Sequence, residues 1–191
     1  MMTECYGNPS SLHSKGFAAE KEMTAAREII AERLSAQPGG DLLHVRRHRE
    51  RQHCDLGAAH AKKRAGNKIV TTAIEHPAVL NTMAQLEKEG FEVVYVQPEA
   101  DGNIPKEKFD AAIDVKTILV SVMAVNNETG VLLPLKDIAG MIKRKKAPAL
   151  FHTDAVQGFC KIPLQPKKLG VDSSVFRATR CMRRRAWVRC T

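Results

Sequence analysis

Aromatic side chains are scarce in this chain, making up 5% of its 191 residues, with Trp187 the single tryptophan. A surface that stacks unpaired bases needs several such rings. Cysteine is sparse too: Cys5, Cys54, Cys160, Cys181 and Cys190 form no CxxC pair and no regular framework. That excludes the usual zinc-ligand spacings and a disulfide scaffold, and the cysteines read as scattered free thiols. No apolar run reaches the roughly 20 residues of a membrane-crossing helix. Residues 1–9 lack the basic stretch and apolar core of a secretory signal, so a cytoplasmic protein without a membrane partner is expected. Internal repeats and low-complexity segments are missing as well, and the length suits one domain.

Acidic residues are missing from one place in particular. Residues 176–191 hold six arginines and no acid, and residues 41–56 hold four arginines against three acids. Together these stretches account for seven of the nine net positive charges, three of the five cysteines and the tryptophan. The other residues are nearly neutral. The basic balance therefore belongs to two foreign-looking segments in an otherwise ordinary chain, 43% hydrophobic and 27% charged.

What is present is alternation. Residues 15–36 carry apolar side chains at Ala19, Met23, Ala26, Ile30 and Leu34, a helical spacing that Gln37-Pro38-Gly39-Gly40 stops. From Lys68 onward short β-branched runs alternate with helical stretches. The pattern predicts strands at 69–74, 92–96, 117–123 and 149–153. It predicts helices from Pro77 to just before Gly90, over 105–113 and over 134–145. Strands separated by helices imply an α/β fold with a mostly parallel sheet and flanking helices.

In such a sheet ligands sit beyond the carboxyl ends of the strands, so the residues after each strand come first. Glu75-His76 follows the first, Asn126-Asn127-Glu128 follows 117–123, and Asp154 with Gln157 follows 149–153. This set of an imidazole, amides and carboxylates contains no metal-ligand spacing and no evident nucleophile–base pair. Each residue also has a structural reading. His76 can cap the helix that Pro77 opens, Asn126-Asn127 before Gly130 can be a turn, and Asp154 can cap the next helix. Their coincidence at three strand ends favours a ligand site.

Thr72-Ala73-Ile74-Glu75-His76, Val125-Asn126-Asn127-Glu128-Thr129-Gly130 and His152-Thr153-Asp154-Ala155-Val156-Gln157 closely resemble motifs of one family. So does the loop Tyr6-Gly7-Asn8-Pro9-Ser10-Ser11-Leu12-His13-Ser14 before a long helix. The family is the cysteine desulfurases of the NifS/IscS type, aminotransferase class V enzymes of pyridoxal-phosphate fold type I. The resemblance covers residues 6–38 and 57–175 in collinear order. It implies a partial large domain in which Asp154 pairs with the cofactor's pyridine nitrogen, His76 stacks on its ring, and Asn127 and Gln157 place amides near its phenolic oxygen. It also implies L-cysteine as substrate, L-alanine and an enzyme persulfide as products, iron–sulfur cluster assembly as destination, a homodimer, and a sulfur-accepting scaffold protein. Selenocysteine lyase and other class V relatives are the neighbouring activities.

The departures are as informative. Where the family has a strand and a Gly-rich phosphate-binding loop, residues 41–56 read as a basic stretch; residues 176–191, where the family's Schiff-base lysine falls, contain no lysine. Codons for residues 44–55 can be chosen so that the frame one base on reads Thr-Ser-Gly-Gly-Thr-Glu-Ser-Asp-Asn-Ile-Ala, the family pattern. Residues 176–191, shifted by one base, can likewise read Ser-Gly-His-Lys-Met-His-Ala-Pro-Lys-Gly-Val-Gly-Ala-Leu-Tyr. Both segments are therefore expected to be out of frame. The chain is expected to be an incomplete large domain over residues 1–191, without the C-terminal small domain and its sulfur-accepting cysteine. It is expected to be inactive, with no catalytic residue of its own. A nucleic-acid-binding protein using Arg46, Arg47, Arg49, Arg51 and Arg183 to Arg185, or a non-catalytic remnant, are the readings from other classes.

Overall fold

The computed structural model of the chain describes residues 7–35, 41–44, 49–177 and 187–190. The first helix, α1 (Ser14–Leu34), starts at His13, whose Nδ1 accepts the Gly16 N–H at 3.1 Å. It ends at Ser35, in the left-handed region at φ 52°. The expected helix end at Ala36, the stop at 37–40 and Tyr6 of the loop lie outside the described residues. Gly16 permits the turn before the helix, because a Cβ there would collide with the Ser11 carbonyl.

The remaining elements are β1 (Asp41–His44), α2 (Arg49–Lys62), β2 (Lys68–Thr72), α3 (Pro77–Lys88), β3 (Glu92–Val96), α4 (Lys106–Ala112), β4 (Thr117–Ser121), α5 (Leu135–Arg144), β5 (Leu150–Asp154), α6 (Pro166–Leu169), β6 (Ser173–Arg177) and β7 (Trp187–Cys190). Every predicted strand and helix from residue 68 to 154 is present, with ends shifted by one or two residues. The two basic segments hold β1, the start of α2, the end of β6 and β7. Residues 45–48 and 178–186 lie outside the described residues.

The strands form one sheet in the order β1-β7-β6-β5-β4-β2-β3. From β6 to β3 all pairings are parallel, whereas β7 runs antiparallel to both β6 and β1. The expected mostly parallel sheet is present. Side chains alternate across it. Ile69 and Leu119, opposite one another, join Ala59, Val79, Met83 and Leu86 from α2 and α3; Val70, Val120 and Phe151 join Phe109, Ile138 and Ile142 from α4 and α5. A helix-sheet-helix sandwich results from period-2 strands whose two faces are both apolar.

This order fixes where a ligand can sit. The chain steps from β2 outward to β3, then returns across β2 to β4 and continues to β5 and β6. Direction of winding reverses between β2 and β4. Helices on opposite faces leave a crevice at the carboxyl ends of the two strands flanking such a reversal.

Candidate functional site

Three loops meet the crevice, one each after β2, β4 and β5. After β2 the chain turns through Ala73–Ile74 into Glu75 and His76. His76 caps α3 as its sequence position allowed: its Nδ1 accepts the Ala78 N–H at 3.1 Å, and Pro77 begins the helix. An acceptor Nδ1 puts the proton of the neutral ring on Nε2. The half-buried imidazole is thereby oriented by its own backbone, and the structural and ligand-facing readings are compatible.

After β4 the two asparagines divide the work. Asn126 is buried and makes the turn: its Oδ1 accepts the N–H groups of Glu128 and Thr129 at 2.8 and 2.9 Å and the Thr129 hydroxyl at 3.2 Å. Its Nδ2 donates to the Ile74 carbonyl at 3.0 Å, bridging to the loop after β2. Asn127 is exposed, and Gly130, at φ 75°, closes the turn in a conformation that suits glycine. The turn reading holds for Asn126 and leaves the Asn127 amide at the surface of the loop.

After β5 comes Asp154, only 6% exposed. Its Oδ1 accepts the Val156 N–H at 3.1 Å, so it caps a turn and not a regular helix. Its carbonyl accepts the Ala124 N–H at 2.9 Å, which ties the loops after β4 and β5 together. Gln157 lies half-buried in the same turn. A carboxylate at this depth is costly unless a cation or several donors face it, a requirement that a protonated heterocyclic nitrogen meets.

Glu75 is the site residue that strand-end reasoning noted but gave no role. It is 4% exposed, and its Oε1 accepts both the Thr72 hydroxyl and the Met123 N–H at 2.8 Å. Its Oε2 is buried without a hydrogen-bond partner. Burial, aided by the carboxylates of Asp154 and Asp55, outweighs these two bonds and pushes its pKa up from 4.5 to about 8. Near neutral pH Glu75 therefore favours its protonated, uncharged form. The spacing Thr72-x-x-Glu75 was the available signal, but it indicates a contact only once β4 is known to lie beside β2.

The four predicted residues therefore lie on three adjacent loops at one edge of the sheet. Their donor set fits the ring end of pyridoxal phosphate: a buried carboxylate, an oriented imidazole, and two amides. Among the described residues no match to the phosphate and Schiff-base ends is seen, and residues 169–191 hold no lysine. The segment standing for the phosphate loop includes residues 45–48, outside the described residues. Among the described residues no cluster of three or more His, Cys, Asp or Glu could hold a metal, and no helix is long and apolar enough to cross a membrane.

A doubly wound α/β sheet with polar groups at its switch point has them where folds of this class bind their ligands. Within that class, this chain belongs to the aminotransferase class-V family, whose model matches residues 1–182. Cysteine desulfurase IscS of Vibrio vulnificus strain YJ016 is 40% identical over 173 residues, which are 90% of this chain and 42% of that protein. The IscS of Glaesserella parasuis is 42% identical over a stretch of the same length. A solved NifS-like protein superposes with a TM-score of 0.92 at 35% identity, covering 99% of this chain and 52% of its own. A structure described as SspA in complex with cysteine gives a TM-score of 0.83 at 32% identity, covering 91% of this chain and 50% of its own. The chain spans about two fifths of the length of the IscS relatives it matches.

Proposed function

We propose that this chain carries the ring-binding half of a pyridoxal-phosphate site whose substrate is L-cysteine, and that it corresponds to part of a cysteine desulfurase large domain. The observation that carries this reading is Asp154, a buried carboxylate oriented by its own turn at the end of β5, beside the switch point. When bound, pyridoxal phosphate supplies an electron sink for the bonding pair released from an amino-acid substrate. Asp154 would hold the pyridine nitrogen's proton through a charge-assisted bond, and His76 would present its ring face. Asn127 and Gln157 would offer amides to the phenolic oxygen. In the complete enzyme the products would be L-alanine and a persulfide, passed by a homodimer to a sulfur-accepting scaffold protein for iron–sulfur cluster assembly.

Two further parts of the proposal concern this polypeptide. Residues 41–56 and 176–191 are read out of frame, and the chain does not turn over. With no lysine in residues 176–191, this polypeptide holds the cofactor noncovalently. The test is a titration of the chain with pyridoxal phosphate, followed by borohydride reduction and mass measurement. Expected are saturable binding, no covalent attachment on reduction, no sulfide from L-cysteine, and at least tenfold weaker binding in Asp154→Ala. A reduced covalent adduct would show that another lysine serves, and unchanged affinity in Asp154→Ala would remove Asp154 from the site.

A further inference from the structure

Local caps orient His76 and Asp154, but the distance between the loops that carry His76 and Asn127 must be fixed from elsewhere. His76 and Asn127 sit on loops leaving β2 and β4, the strands between which the winding reverses. Two side chains bridge those loops: Asn126 reaches back to the Ile74 carbonyl, and Glu75 reaches across to the Met123 N–H. Glu75 is adjacent in sequence to His76, and Met123 lies four residues before Asn127. We propose that Glu75 is a positioning residue of the crevice, its Oε1 latching the end of β2 to the end of β4 and so holding His76 and Asn127 at the spacing a single ring requires.

The geometry makes the latch specific. One oxygen takes both bonds, from Thr72 and Met123, at 2.8 Å each, while the other is buried without a partner. In the neutral acid the carbonyl oxygen would accept both bonds and the buried opposite oxygen would carry the proton, leaving no buried charge. Burial drives the group toward this form, and the carboxylates of Asp154 and Asp55 act in the same direction. A neutral latch also adds no second negative charge beside Asp154, whose proposed role needs a carboxylate facing the ring nitrogen. Glutamine should therefore replace it, since its amide carbonyl accepts the same two bonds. Aspartate, one methylene shorter, should not reach.

The inference rests on the ring-site reading above, so the experiment uses the full 191-residue chain and reads the latch with and without cofactor. Without cofactor, amide exchange at Met123 and the NMR signals of the His76 ring and the Asn127 side-chain amide are compared in the parent, Glu75→Gln and Glu75→Asp. Expected are exchange at Met123 at least tenfold faster and shifted His76 and Asn127 signals in Glu75→Asp, with Glu75→Gln within twofold of the parent. With cofactor, the dissociation constant for pyridoxal phosphate should rise about tenfold in Glu75→Asp and stay within twofold in Glu75→Gln. Parent-like exchange and signals in Glu75→Asp would overturn the latch, as would a Glu75→Gln variant that behaves like Glu75→Asp. Faster exchange without any change in cofactor affinity would reduce Glu75 to a structural tie. If the parent binds no pyridoxal phosphate, the ring-site reading fails, and the cofactor-free comparison still decides the latch. Should Glu75→Asp not fold, Glu75→Gln decides by the same two measurements.

Discussion

At the scale of single residues the crevice is held by polar groups serving two purposes each. His76 caps a helix and is proposed to offer its ring, Asn126 builds a turn and ties two loops, and Asp154 caps a turn and carries a buried carboxyl group. Glu75 has a measurable consequence for stability. In the unfolded chain its carboxyl group ionises near pH 4.5, whereas in the folded chain it keeps its proton to about pH 8. Below the first value both states are protonated and the fold bears no cost. Between the two, the unfolded state releases a proton that the folded state retains, so stability falls as pH rises and levels off above the folded value. Gln at this position does not titrate. The stability of Glu75→Gln relative to the parent should thus rise from pH 5 to pH 8, by on the order of a few kcal/mol, with a difference in melting temperature that widens over the same range. Thermal melts of both proteins across that range check the sign, and a margin that narrows would contradict it. Asp154 and Asp55 face the same group, and their negative charges help to hold the Glu75 proton in place.

At the scale of elements, most of the sheet assembles because each helix offers one apolar stripe. In α3 the buried residues Ala78, Val79, Thr82, Met83 and Leu86 recur at helical spacing, and in α5 Leu135, Ile138, Ala139, Met141 and Ile142 do so. A polar device joins α4 to α5. Lys145, at the end of α5, donates to the carbonyls of Asp110 and Ile113 and lies 3.3 Å from the Asp110 carboxylate. These carbonyls belong to the last turn of α4, where intrahelical donors run out. Lys145→Met keeps the apolar stem and removes the donors, so it should lower stability by about 1–3 kcal/mol. Urea denaturation measures the loss, and an unchanged midpoint would mean that water caps α4 equally well. Helices α2 and α6 and strands β1, β6 and β7 were not predicted; for α2, β1 and β7 the reason is that the hydrophobic pattern of residues 41–56 and 176–191 follows neither period clearly.

At the scale of the whole molecule, the sheet has a parallel body from β3 to β6 and an antiparallel pair, β7 and β1, at one edge. The body carries the two apolar cores and the crevice. The pair is drawn from the basic, arginine-rich segments, and an edge strand presents unpaired backbone groups to other chains. The chain as written should therefore be prone to aggregation, whereas a gene restored to frame near residues 40 and 56 and again near residue 175 should encode the Gly-rich loop and a Ser-Gly-His-Lys segment. Resequencing across both segments, with size-exclusion and thermal melts of the two products, tests this. A chain made in cells at this length, with every base confirmed and a cooperative melt of its own, would mean that the basic segments are real.

The sequence by itself determined the α/β alternation, the two-faced strands and the polar residues at three strand ends, because these depend on local periodicity and on turn chemistry within a few residues. It also carried the family's motifs and the departure from them. The tertiary structure decided the order of the strands, and with it the reversal between β2 and β4 that makes a crevice of those ends. It separated the roles of Asn126 and Asn127, one turned inward to bind the loop and the other left outside. It gave Glu75 its partner, since Met123 is 48 residues away in sequence and becomes a neighbour only through parallel pairing. The difference is one of range: periodicity is written along the chain, whereas a buried carboxyl group acquires its charge state and its function from whatever the fold packs against it.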